Sequence, residues 1–190
     1  MKAAAYVLLL LAVLALSVPG FAQAPDDDLI VPGQRIGKWT LDMSLDELSR
    51  INGPGVTGRP AEQDVRPGFN IRVWPELALI AGLKEGQTQV AWFYVGMIPD
   101  LPWTGISLAK TDRGISSTSC KDEVTKAYGR PTWQKVAKPV GRTQVWRLVY
   151  DRLGIAFLFI PIMTTYCPSG DGVLLGMSIF RPEAATSIWR

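Results

Sequence analysis

The feature that most limits the fold of this chain is a helix pattern that occurs twice. In the first copy, Ser44 and Glu47 form a capping-box pattern that begins a helix, and Gly53 ends it. In the second copy, Glu123 and Gly129 keep the spacing that separates Glu47 from Gly53. We therefore expect an α+β fold of two tandem units, each a short helix packed on an antiparallel β-sheet of three to four strands.

Strand-like runs follow each helix pattern. They cover residues 70–74, 77–83 and 87–95 in the first unit, and 143–150, 154–160 and 172–180 in the second. The run at 143–150 contains two alternating sets of residues, Trp146/Leu148/Tyr150 and Val145/Arg147/Val149, which predicts a strand with one buried face. Residues 55–68 are predicted to form a polar loop, and residues 132–142 a basic loop. The first unit is placed at 29–105 and the second at 106–190.

The amino terminus has the pattern of a cleavable signal peptide at residues 1–24. Lys2 precedes an apolar stretch at 3–16, Pro19 breaks the helix, and the segment at 22–24 reads Ala-Gln-Ala, a small-x-small cleavage site. The alternative is an uncleaved anchor, but the apolar stretch is short for a bilayer of about 30 Å. We expect a periplasmic or secreted protein without stable membrane insertion, beginning with a disordered acidic tail at 25–28.

The two cysteines, Cys120 and Cys167, are predicted to form a disulfide, because an exported protein meets an oxidising environment. Two separate buried thiols are the alternative, since spacing alone does not show that the Cα atoms approach closely enough.

Positive charge is concentrated in the second half of the chain. Residues 106–190 hold twelve Lys and Arg against six Asp and Glu, whereas residues 26–105 hold seven against eleven. A basic surface could attract an acidic protein, or it could be an ordinary solvated rim. Because the chain is predicted to be exported, we expect no nucleic-acid partner. The candidate partner-binding residues are Lys126, Arg130, Lys135, Lys138 and Arg142, together with Trp103 and Trp133 as loop tryptophans suited to anchor an interface.

Histidine is absent from the chain, so a Ser-His-Asp or Cys-His arrangement is excluded, as are zinc sites that contain histidine. No phosphate-binding glycine motif occurs. We therefore expect no catalytic residues, no metal site and no cofactor. The carboxylate pairs Asp46/Glu47 and Asp122/Glu123 leave a small carboxylate-dependent hydrolase as an alternative, although both pairs also suit the first turn of a helix.

The lead segment of the first unit carries a resemblance to a known group. Pro32, Gly33, Ile36 and Gly37, followed by Leu-x-Met-Ser-x-x-Glu-Leu at 41–48, resemble the lead motif of bacterial exported α+β repeats. That group includes the β-lactamase-inhibitor protein, with two units, and the small outer-membrane assembly lipoproteins, with one. The chain departs from the group at position 42, where Asp replaces the usual glycine, and at position 120, where Cys takes the cap position.

The resemblance implies a non-catalytic protein-binding module, because its members present a sheet or loop surface to another protein. An inhibitory or envelope-assembly role would fit that expectation. A structural envelope domain without a specific partner is a further alternative, and the oligomeric state is left open.

Overall fold

The computed structural model describes residues 28–57, 68–97, 109–140, 143–165, 167–168, 170 and 172–189. The predicted signal peptide and residues 25–27 of the predicted tail lie outside these ranges. Among the helices that are described, none has both the length and the apolar character needed to cross a bilayer.

The described residues form twelve strands and three short α-helices. The strands are β1 (Leu29–Val31), β2 (Arg35–Ile36), β3 (Trp39–Thr40), β4 (Val56–Thr57), β5 (Phe69–Trp74), β6 (Leu79–Lys84), β7 (Val90–Gly96), β8 (Lys110–Thr111), β9 (Trp133–Val140), β10 (Thr143–Tyr150), β11 (Ile155–Ile160) and β12 (Val173–Phe180). The helices are α1 (Leu45–Asn52), α2 (Lys121–Tyr128) and α3 (Ala185–Trp189).

Eight of the strands form one antiparallel sheet in the order β4-β5-β6-β7-β12-β11-β10-β9. Two four-stranded meanders, β4 to β7 and β9 to β12, meet where β7 pairs with β12 from Gly96↔Gly176 to Trp92↔Phe180. A smaller sheet has the order β3-β2-β1-β8, in which β1 pairs in parallel with β8. The fold is therefore α+β, dominated by antiparallel strands.

Both predicted helices are present, and both begin where the capping pattern placed them. Ser44 caps α1: its hydroxyl accepts a hydrogen bond from the Glu47 amide at 3.2 Å, and Glu47 accepts one from the Ser44 amide at 2.8 Å. These two bonds satisfy amides that the first turn of a helix leaves free. Leu48 is fully buried on the inner face of α1. Ile51, in the last turn of α1, is exposed.

One face of the large sheet packs against α1, α2 and the smaller sheet. The side chains that meet there include Leu48 of α1, Val124 and Tyr128 of α2, Ile30 of β1 and Phe157 of β11, all of them buried. Tyr128 also lies 5.1 Å from Phe157, measured between ring centroids. This face forms the larger of the two apolar cores.

The opposite face of the sheet is buried as well, which corrects the prediction of a strand with one buried face at 143–150. Val145, Arg147 and Val149 point away from the first core, yet all three are buried. Ala185 and Ile188 of α3 pack on this second face. The charge of Arg147 indicates a solvent-facing side, so the sequence of β10 did not reveal that its second face is buried; Arg147 is buried despite its charge.

The predicted basic loop at 132–142 is wrong over most of its length. Trp133–Val140 forms β9, which pairs with β10 and is a terminal strand of the large sheet. Lysine and proline are common on edge strands, where they discourage pairing with another chain, so a basic strand at an edge resembles a loop in sequence. The predicted polar loop at 55–68 likewise contains β4, which pairs with β5.

Candidate functional site

The disulfide between Cys120 and Cys167 is present, as predicted. It joins the residue that caps α2 to the connection between β11 and β12, and the two Cα atoms are 5.6 Å apart. Both cysteines are buried. Next to this junction, the Lys121 amide donates to the Gly172 carbonyl at 3.3 Å, so helix and connection are also joined through the backbone.

The basic candidates that the structure describes are exposed, but they do not form a single patch. Lys126 lies on α2, which packs on the first face of the large sheet. Lys135 lies on β9 opposite Arg147, and Arg147 belongs to the second face. Lys126 and Lys135 therefore lie on opposite sides of the sheet. Arg130 is exposed just after the end of α2.

The remaining candidates are Trp133, which the structure describes, and three residues that it describes only in part or not at all. Trp133 begins β9 and packs partly buried against the second core, so it is not the exposed loop anchor that was expected. Lys138 lies in β9, but its side chain is outside the described residues, as are Arg142 and Trp103 altogether.

In each carboxylate pair, the glutamate takes part in a helix cap. Glu47 accepts hydrogen bonds from the Ser44 amide at 2.8 Å and hydroxyl at 3.0 Å, and these bonds hold the pKa of Glu47 below its ordinary value. Glu123 accepts the Cys120 amide at 2.8 Å in the same arrangement. A carboxyl with a lowered pKa is a poor general acid near neutral pH. Within the described ranges, no cluster of three or more His, Cys, Asp or Glu side chains could hold a metal ion.

Two buried tyrosines, Tyr128 at the end of α2 and Tyr150 at the end of β10, lie side by side. Burial raises the pKa of Tyr128 to about 12, and burial raises that of Tyr150 to about 12 as well. Their rings are 5.5 Å apart between centroids, and the Arg113 guanidinium stacks on Tyr128 at 4.6 Å. The Tyr150 hydroxyl donates to the Gly129 carbonyl at 3.0 Å, which ties β10 to the end of α2. These contacts indicate that both tyrosines stabilise the core.

A half-open groove of about 590 Å³ lies between the β6–β7 turn and the segment that leads into α3. Lys84 and Phe69 line one side, and Glu183 and Arg181 line the other. Arg181 is already engaged, because its guanidinium donates to Asp42 at 2.6 Å and forms an ion pair with it. The groove is lined by few apolar side chains, which are the usual lining of a small-molecule pocket.

The structure also reveals an exposed apolar pair that the sequence analysis did not single out. Ile162 and Met163 follow β11 in the connection that Cys167 anchors, and Met163 is 74% exposed. The signal that could have found them is the length of this connection, which spans twelve residues where the β6–β7 connection spans five.

Comparison with known proteins gives few matches. No family model and no curated protein matches the chain. One similar solved structure is an extracellular protein containing an SCP domain from Bacillus anthracis str. Ames, with 11% identity and a TM-score of 0.38; the match covers 83% of this chain and 52% of that one. Another is a cysteine-rich secretory protein from Staphylococcus aureus subsp. aureus Mu50, with 11% identity and a TM-score of 0.37 over 81% of this chain and 49% of that one. The chain spans about half the length of each structure.

Proposed function

We propose that this chain is an exported, non-catalytic protein-binding module built from two copies of one unit, at residues 29–105 and 106–190. The observation that carries the proposal is that specific contacts recur in both halves. In the first half, the indole of Trp74 donates to the carbonyl of Gly53 at 3.0 Å. In the second half, the hydroxyl of Tyr150 donates to the carbonyl of Gly129 at 3.0 Å. In both cases 21 residues separate donor from acceptor.

A second pair of backbone contacts recurs in the same way. The Val90 amide donates to Met43 just before α1, at 3.0 Å, and the Leu174 amide donates to Ser119 just before α2, at 3.2 Å. In each half this bond joins the start of the last strand of the meander to the residue that precedes the helix cap. Recurrence at equivalent places supports two copies of one helix-plus-meander unit, with four strands in each meander, within the three to four expected.

The two-unit organisation supports a binding role through the resemblance of the lead segment to exported α+β repeats. Members of that group act by presenting a sheet or a loop to another protein. The hydrolase alternative is weakened, because Glu47 and Glu123 both accept hydrogen bonds from cap residues. Their carboxylates thus have a structural role that accounts for their positions.

Export is part of the proposal. The disulfide between Cys120 and Cys167 supports it, because such bonds persist in oxidising compartments and are rare in the cytosol. An inhibitory or envelope-assembly role belongs to the same proposal, with an acidic protein as the preferred partner, given the basic second half of the chain.

Affinity capture of the tagged full chain from its own envelope extract, followed by mass spectrometry, tests this function. We expect one protein to be enriched in fixed ratio to the chain and to bind it again when both are purified. Glu47→Gln and Glu123→Gln serve as controls and should capture the same protein. Loss of a hydrolytic activity on envelope polymers in these two variants, with no captured partner, would favour the hydrolase.

A further inference from the structure

The large sheet ends at β9, and the outer side of this strand presents backbone groups. Among the described strands, β9 pairs with β10 alone, whereas β10 pairs with both β9 and β11. In an antiparallel pair, alternate residues of a strand point their N–H and C=O groups away from the partner strand. The outer side of β9 is therefore a row of backbone donors and acceptors that an extended segment of another chain can bind.

The two ends of the sheet differ in length. β4, at the opposite end, consists of two residues only. β9 has eight, and its residues 133–137 pair in unbroken register with residues 145–149 of β10. A very short edge strand is one of the usual protections against pairing with another chain, and β9 lacks it. Of the two ends, β9 is therefore the one that can extend the sheet.

The start of β9 is fixed before any partner binds. Trp133 packs, partly buried, against the second core, and the Thr132 amide donates to the Val149 carbonyl at 2.8 Å. A strand that is already ordered loses little conformational freedom on binding, which favours affinity.

Residues 134–136, which we call the β9 edge, have exposed side chains on both faces of the sheet. Lys135 lies opposite Arg147 of β10, on the second face. Val136 is 39% exposed and lies opposite Trp146, on the first face. An added strand would place its alternate side chains beside Lys135 on one face and beside Val136 on the other.

Charge determines which kind of segment suits this edge. Together, β9 and β10 contain Lys135, Lys138 and Arg147, and neither strand contains Asp or Glu. Pairing of β9 with the same strand of a second copy would concentrate positive charge at the junction, and like charges on neighbouring strands are destabilising. An acidic segment would be attracted instead. The lysines that discourage self-pairing thus select a partner of opposite charge.

We propose that the β9 edge binds an extended acidic segment of the partner protein, which joins the large sheet as an additional antiparallel or parallel strand. The proposal rests on the binding function proposed above and specifies where the partner is bound. Backbone hydrogen bonds to β9 supply affinity, and the side-chain pattern of the segment supplies specificity. Since successive side chains of a strand point to opposite faces, the fitting pattern alternates acidic residues beside Lys135 with β-branched residues beside Val136.

Nuclear magnetic resonance of the isotope-labelled exported chain, titrated with three capped octapeptides, tests the proposal without a captured partner. The first peptide alternates Thr and Glu, the second Thr and Lys, and the third Pro and Glu. We expect millimolar Thr-Glu peptide to shift the amide resonances of residues 134–136 and not those of β6, which is paired on both sides. The Thr-Lys peptide should bind at least about tenfold more weakly. The Pro-Glu peptide keeps the negative charge but should cause no shift, because proline fixes φ near −65° and does not form the pleated strand.

Two charge reversals carry the test to the captured protein. Lys135→Glu should weaken its binding about tenfold, whereas Lys84→Glu, at an exposed lysine of the interior strand β6, should stay within about twofold of the wild type. Both variants should keep the thermal midpoint of the wild type, so that lost binding is not lost folding.

Three outcomes would overturn the assignment: no shift at residues 134–136 with the Thr-Glu peptide, equal shifts with the Thr-Lys or Pro-Glu peptide, or self-association of the chain through these residues. If the captured protein binds Lys135→Glu as tightly as the wild type, the assignment to β9 fails while the binding function stands.

Discussion

The junction between the two meanders gives the sharpest prediction about stability. Gly96 pairs with Gly176 where β7 meets β12 and has φ of +145°. A Cβ at position 96 would lie 2.4 Å from the Gly176 Cα and 2.4 Å from the Leu175 carbonyl oxygen. Both are backbone atoms, so Gly96→Ala must push the strands apart. Overpacking of this kind costs about 1–3 kcal/mol, and a strained backbone about 1–3 kcal/mol more.

A matched variant separates these two contributions. Gly86 in the β6–β7 turn also has positive φ, +79°, but a Cβ there would meet nothing within 4 Å. Gly86→Ala should therefore cost only the conformational strain, about 1–2 kcal/mol. Urea unfolding monitored by tryptophan fluorescence should show that Gly96→Ala loses more free energy of unfolding than Gly86→Ala, with the same m-value. Equal losses in the two variants would refute close backbone contact at the junction.

Three further predictions concern the helix cap, the tyrosines and the disulfide. Ser44→Ala should lose about 1 kcal/mol of unfolding free energy in urea titration. Because the folded-state pKa of Glu47 is lowered, its carboxylate should stabilise the fold fully above its unfolded pKa and progressively less as pH falls through the folded-state pKa. Glu47→Gln should remove this decrease of unfolding free energy at acid pH. Tyr128 and Tyr150 have raised pKa values of about 12, so their contribution to the free energy of unfolding should be full below about pH 10 and lost between about pH 10 and 12. Ultraviolet absorbance monitors tyrosine ionisation, and ionisation of these two side chains near pH 10 would contradict their burial. Cys167→Ser should lower stability by up to about 4 kcal/mol in thermal unfolding, and reduction of the wild type should do the same.

The sequence was sufficient to locate α1 and α2 because their signals are local. Ser44 and Glu47 lie within one turn of each other, and Gly53 ends the same helix. Such a pattern determines backbone hydrogen bonds without reference to the rest of the chain. The pairing of the two cysteines was also expected from composition and compartment, and the bond joins Cys120 to Cys167.

Features that depend on distant contacts were harder to predict. The lysines and proline of β9 predict a loop, because these residues are common both in loops and on edge strands, and its pairing with β10 is what makes the segment a strand. The joining of two meanders into one sheet depends on the pairing of β7 with β12, which are far apart in sequence. The helix α3 has only five residues, too few for a periodic pattern to be visible.

The positions of the candidate site residues also depend on distant contacts. Lys126 and Lys135 were grouped by nearness in sequence, but α2 and the Lys135 side of β9 lie on opposite faces of the sheet. Met163 was overlooked because an exposed methionine has no distinctive pattern.

The central claim, that this chain binds another protein, is tested most directly by the mass of the complex it forms. The exported chain and the protein captured with it should be mixed after purification and passed through size-exclusion chromatography with light scattering. The account predicts a single species whose mass equals that of the chain plus its partner in fixed ratio, formed more weakly as salt is raised. Elution of the chain at its own mass at every concentration and salt level, with the captured protein always separate, would contradict the claim.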